Sequence, residues 1–104
     1  MKVKEFKLGE KTYKVEYVES IDDTGLGRST ACIGNIKIAK KFYGNEIPED
    51  SMEQTLWHEV LHVVFDELGM YDHSKNEQLL QSLAILLHQF DKGRVFYALG
   101  SEPK

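Results

Sequence analysis

The sequence predicts an α+β domain: a small N-terminal antiparallel sheet of two hairpins, followed by two main helices. Three observations carry this. Residues 1–44 hold short runs of alternating charged and apolar side chains, broken by glycines. Two later stretches, 50–68 and 75–90, lack Gly and Pro and repeat their apolar residues at helical spacing. Strands grouped ahead of helices, instead of interleaved with them, point to α+β and not to a parallel α/β sheet.

Each element has its own signal. Val3–Leu8 and Thr12–Val18 alternate charged and apolar residues on either side of Gly9-Glu10-Lys11, which reads as a hairpin. Ile21–Arg28 is a polar loop with Gly25 and Gly27. Ser29–Ile33 and Ile36–Lys40 flank Gly34-Asn35, a tight-turn pair, and make a second hairpin. Cys32 lies in the apolar run Ala31-Cys32-Ile33 and is expected to be a buried small hydrophobe. Gly44–Pro48 ends the sheet, and Pro48 suits the first turn of a helix over 48–69 that stops at Gly69. A second helix is predicted over 74–91, with Leu79, Leu80, Leu83, Ile85, Leu86 and Leu87 apolar. The C-terminal segment 94–104 opens with the aromatic stretch Arg94–Leu99, a last helical turn or a strand packed on the core. There are no repeats or linkers, so 1–104 reads as one domain.

Composition narrows the function classes. Apolar content of 41% and charged content of 29% describe an ordinary globular chain. The net charge of −4 argues against a nucleic-acid partner. Lys37, Lys40 and Lys41 are the densest positive group, and along one strand they read as a solvated face. One cysteine allows no internal disulfide, which makes a reducing cytoplasm the expected compartment. The charged start Met1-Lys2-Val3-Lys4-Glu5 is unlike a signal peptide, and no run approaches membrane-spanning length.

The chemistry is concentrated in His58-Glu59-Val60-Leu61-His62. On a helix, His58 and His62 are one turn apart and project from one face, where both imidazoles can hold a single zinc ion. Glu59 beside them can act as general base toward a water at the metal. Thr55, His58, Glu59, His62 and Asp66 share that polar face, while Leu56, Val60, Val63, Val64 and Leu68 form the apolar one.

Two histidines leave a catalytic zinc one protein ligand short. The candidates are Asp66, Asp72, His73, Glu77 and His88. Asp66 is too short to reach the metal but could orient a ligand histidine. His88 lies about 16 Å along the helix from Glu77, so the two cannot share one metal, and it reads as a satisfied helix histidine. Glu77, near the start of the second helix, is where a third ligand is needed. Ser74-Lys75-Asn76-Glu77 is also a capping box with Ser74 as N-cap, which would use the same carboxylate. If Glu77 caps, His73 becomes the favoured ligand. Tyr43, Tyr71 and Tyr97 are candidate oxyanion donors.

These residues resemble a known family. Ile36-Lys37-Ile38, Ile47-Pro48-Glu49, Thr55–His62 and Asn76-Glu77-Gln78-Leu79-Leu80 look like the short zincin-like metallopeptidases of bacteriophages and prophages, distantly similar to ImmA/IrrE-type peptidases. The pair Asn76-Glu77 also resembles the third-ligand motif of gluzincins. The resemblance implies a minimal zincin-like domain in a host cytoplasm, with Glu77 as third ligand. Relatives often carry a second acid one turn later, where this chain has Gln81. The histidine-and-glycine extension of metzincins is absent after His62.

The expected function is zinc-dependent hydrolysis of peptide bonds in a peptide or protein substrate, with Zn²⁺ as cofactor. An edge strand, Ile36–Lys40 being the candidate, would align an extended peptide. The alternative is a non-catalytic zincin-fold binding or inhibitor protein, a phage accessory or a host-defence antagonist. A fourth protein ligand, or a site sealed by Trp57 or Tyr71, would favour that alternative.

Overall fold

In a computed structural model, residues 3–22 and 25–92 are described. The chain folds as α+β: a four-stranded sheet first, then two main helices. Strands β1 (Glu5–Leu8) and β2 (Lys11–Val18) form the first hairpin, with Leu8 opposite Lys11. Tyr13 and Val15 are buried from β2's inner face while Lys14 and Glu16 face out, as the alternation predicts. Strand β3 (Gly27–Thr30) runs antiparallel to β4 (Asn35–Ala39), giving the second hairpin.

The sheet as a whole is mixed, which corrects the antiparallel expectation. β4 lies between β2 and β3 and pairs with β2 in parallel, in the order β1-β2-β4-β3. The physical reason is burial. Ile36, Ile38 and Ala39 are fully buried in β4, and a strand so apolar takes an interior position. Ile36–Lys40 is therefore no edge; the open edges are β1 and β3.

The β3–β4 connection also differs from a two-residue turn. Ala31–Ile33 is a 3₁₀ turn closed by Gly34 at φ 64°. A side chain at Gly34 would come within 2.7 Å of the Thr12 carbonyl, so both space and backbone angle require glycine. Because 31–33 leaves the sheet, Cys32 is exposed, not buried. After β4, the two-residue strands β5 (Lys41–Phe42) and β6 (Asn45–Glu46) make a separate hairpin, turned through Tyr43 and Gly44 at positive φ.

Helix α1 (Glu49–Glu67) crosses the inner face of the sheet, with Pro48 just outside its first turn. Met52, Leu56 and Val63 pack on Tyr13, Val15, Ile36 and Ile38 to form the core. Gly69, at φ 74°, closes the helix. The Met70 N–H donates to the Phe65 carbonyl and the Gly69 N–H to the Asp66 carbonyl, the paired bonds of a Schellman cap.

The second predicted helix is two helices. A single turn, α2 (Tyr71–Ser74), precedes α3 (Glu77–Asp91). Asn76, not Ser74, is the N-cap of α3: its side-chain oxygen accepts from the Leu79 N–H at 3.0 Å. Ser74 is buried at the end of α2. α3 packs chiefly on α1, on the side away from the sheet. Arg94–Leu99, and the whole segment 94–104, lie outside the described residues. No described helix is long and apolar enough to cross a membrane.

Candidate metal centre

Three elements converge on one point. α1 presents His58 and His62 one turn apart, with ring centroids 5.0 Å apart. The Gly69 cap and the single turn of α2 reverse the chain, which sets the start of α3 beside those rings. Glu77 Oε1 then lies 3.1 Å from His58 Nε2 and 3.1 Å from His62 Nε2. One ligand atom from each residue falls within 4.8 Å of the others, a group that can hold a metal ion. Ligands held about 2.0–2.1 Å from one tetrahedral zinc would be about 3.3 Å apart, close to these spacings. Two imidazoles and a carboxylate, with no fourth ligand grouped with them among the described residues, match the donor set of an open catalytic site.

The far side of each ring is also held. Gln81 Oε1 lies 2.9 Å from His58 Nδ1. An amide oxygen only accepts, so Nδ1 carries the proton and Nε2 is turned to the metal point. Ser74 Oγ donates to the His62 carbonyl at 3.3 Å and lies 3.3 Å from His62 Nδ1, placed to accept its proton. Ser74 is therefore used in orienting His62, and Glu77 is released from the cap by Asn76.

Glu59 is 7% exposed and packs against the sheet, while still lining the cleft with His58 and Glu77. It lies under β3. A Cβ at Gly27 would sit 2.9 Å from Glu59 Cγ and 2.7 Å from Thr55 Cγ2, so only glycine lets β3 lie this close to α1. Burial pushes the Glu59 carboxyl above the ordinary carboxylate range. The Ser29 hydroxyl and the two imidazoles oppose that shift, and Glu77 adds to it. His58, Glu59, Glu77 and Gln81 line one cleft of about 420 Å³, whose other walls are Ser51, Gln54, Thr55, Leu26 and Gly27.

The remaining candidates lie elsewhere. Asp66 holds neither imidazole; Gln81 and Ser74 do that work. Asp72 is exposed on α2 and outside the ligand group. His73 stacks on Phe65, with centroids 5.6 Å apart, and is also outside the group. Tyr43, at a hairpin tip, is 67% exposed and Tyr71 is 60% exposed; neither lines the cleft. Tyr97 is outside the described residues. Trp57 lines a separate apolar groove with Phe6, Tyr17 and Leu56, and does not seal the cleft.

His88 is 4% exposed and bonded through Nε2 to Glu53 Oε1 at 3.2 Å, the satisfied histidine expected. Asp50, Glu53 and His88 form a second group close enough for a metal. The Lys92 ammonium already serves it, 3.1 Å from Glu53 and 3.8 Å from Asp50.

Gly27, Ser29, Ser74 and Gln81 are the site residues that the sequence left without their roles. Two of them had a visible signal: a glycine amid polar residues near a strand start, and a glutamine one turn after Glu77. Compared with known proteins, the chain matches no family model, no curated sequence and no solved structure.

Proposed function

We propose that the protein is a zinc-dependent metallopeptidase that hydrolyses peptide bonds at His58, His62 and Glu77, with Glu59 as general base. The observation that carries this reading is the convergence of both Nε2 atoms on one Glu77 oxygen, 3.1 Å from each. That donor set is a usual one for catalytic zinc. When bound, zinc supplies a Lewis acid that acidifies water and polarises a carbonyl. Glu59 removes a proton from the attacking water and returns it to the leaving nitrogen, so that water is added across the C–N bond. Its burial supports this role, because a carboxyl held above its ordinary range binds a proton more tightly and is the better able both to take one and to return it. Gln81 and Ser74 keep the two imidazoles turned toward the metal point.

β3 supports a mode of substrate binding. The Ala39 N–H donates to the Leu26 carbonyl, so Leu26 faces β4. Backbone direction alternates along an antiparallel strand, which turns the Gly27 and Ser29 amides and carbonyls to the open edge beside the cleft. An extended peptide can add to that edge as a further strand.

The test has two parts. Protein purified without chelator is expected to hold about one zinc per chain, and the His58→Ala/His62→Ala variant to hold none. Equal metal content in both ends the metal assignment. Glu59→Gln is expected to keep the zinc and to lose turnover by on the order of a hundredfold. Peptide termini are then compared in cells expressing wild type or Glu59→Gln. Identical termini would move the assignment to a non-catalytic binding protein, a phage accessory or host-defence antagonist.

A further inference from the structure

We propose that the cleft wall formed by Ser51, Gln54 and Thr55 is a side-chain subsite for an uncharged, hydrogen-bonding residue of the bound peptide, and that Gln54 selects it. This rests on the peptide-hydrolysis reading of the same cleft. Ser51, Gln54 and Thr55 lie seven, four and three residues before His58, so they continue the histidine face toward the start of α1. All three line the cleft, with Leu26 opposite and Gln81 beside His58.

The wall's chemistry is neutral but polar. Apart from His58, Glu59 and Glu77, every described side chain lining the cleft is uncharged, and none is Lys or Arg. A charged substrate side chain would give up hydration there without a counter-ion. A purely apolar one would cover the Gln54 amide, which makes no hydrogen bond among the described residues, and leave it unsatisfied. Thr55 Oγ1 donates to the Ser51 carbonyl at 3.0 Å, so that hydroxyl presents lone pairs to the cleft. Gln81 has given its oxygen to His58, which leaves its NH₂ as a donor. A side chain with both donor and acceptor, such as that of Asn, Gln, Ser or Thr, satisfies this set.

The position follows from helix geometry. Gln54 lies about 6 Å along α1 from His58. An extended peptide advances about 3.3 Å per residue, so Gln54 faces a residue about two positions from the bond that is cut.

The experiment uses a library of decapeptides, varied at each position around a Gly-Ala scaffold, in two arms. Zinc-loaded wild type is digested with the library, and zinc-loaded Glu59→Gln is tested for retention of the same peptides without turnover. The expected result is enrichment of Asn, Gln, Ser or Thr at one position, in cleavage and retention alike. Gln54→Glu should then shift that position toward Lys and Arg, and Gln54→Arg toward Asp and Glu, each by about fivefold. Both replacements are good helix formers, so α1 is kept. Cleavage with a charged or aromatic preference, or profiles unmoved by the two exchanges, overturns the subsite and leaves the hydrolysis standing. Retention with the expected profile but no cleavage supports the subsite and removes the hydrolysis. Neither cleavage nor retention overturns both.

Discussion

Gln81 and Ser74 turn His58 and His62 by hydrogen bonds that carry no charge. A neutral acceptor orients an imidazole but raises its basicity less than a carboxylate would. Gln81→Leu is therefore expected to weaken zinc binding by about 10–100-fold, and Gln81→Glu to bind more tightly than wild type. A competition titration with a chromophoric chelator measures both; equal affinities across the three proteins would show that Gln81 has no hold on His58. Glu77→Gln should lose zinc without loosening α3, because Asn76 provides the cap. The histidine pair and Glu59 were legible in the sequence because i, i+4 spacing on a helix is local geometry. The roles of Ser74 and Gln81 were not. Each depends on how α2 and α3 lie against α1, and Ser74 also fitted a capping box that the backbone resolved at Asn76.

At the level of elements, strands and helices were readable from periodicity, but partnership was not. Alternation in Val3–Val18 fixes which side chains face inward, yet nothing in it says that β4 will join β2 in parallel. That choice follows from Ile36, Ile38 and Ala39 needing cover on both sides. β3 lies on the outside of the sheet, where Gly27 meets Thr55 and Glu59. Gly27→Ala is expected to push β3 off α1 and to destabilise the fold by about 1–3 kcal/mol, read by urea denaturation. A change below about 0.5 kcal/mol would mean that β3 shifts freely. Asn76→Ala should cost about 1 kcal/mol through the lost cap, while Ser74→Ala should lower zinc affinity as well.

Across the whole molecule, α3 is fastened to α1 at two ends by different chemistry. Glu77, through its contacts to His58 and His62, holds its first turn, and Glu53 with His88 and Lys92 holds its last. Burial pushes the Glu53 carboxyl up, but the bonds from Lys92 and His88 together outweigh it and hold the carboxyl below its ordinary range. A depressed carboxyl stabilises the fold above its unfolded pKa, near 4.3, and that contribution is lost as pH falls through the lower folded value. Glu53→Gln should thus be less stable than wild type at neutral pH, with the difference closing below about pH 4. Melting temperatures of both proteins across that range check it; a gap that stays constant would mean the carboxyl's charge is not involved.

The outside position of β3 has a kinetic consequence. β1, β2 and β4 share a buried face, but β3 is joined to the sheet through β4 alone, over four residues. A short strand with one neighbour opens at lower free energy than the strands it borders. Amides of β3 should therefore exchange with solvent deuterium sooner than those of β2 and β4. Each such opening lifts Gly27 and Ser29 from Glu59 and exposes more of the side chain that the closed strand covers. The proposed general base would then spend a small fraction of time more fully solvated, and a peptide added to the open edge would shorten that fraction by pinning the strand.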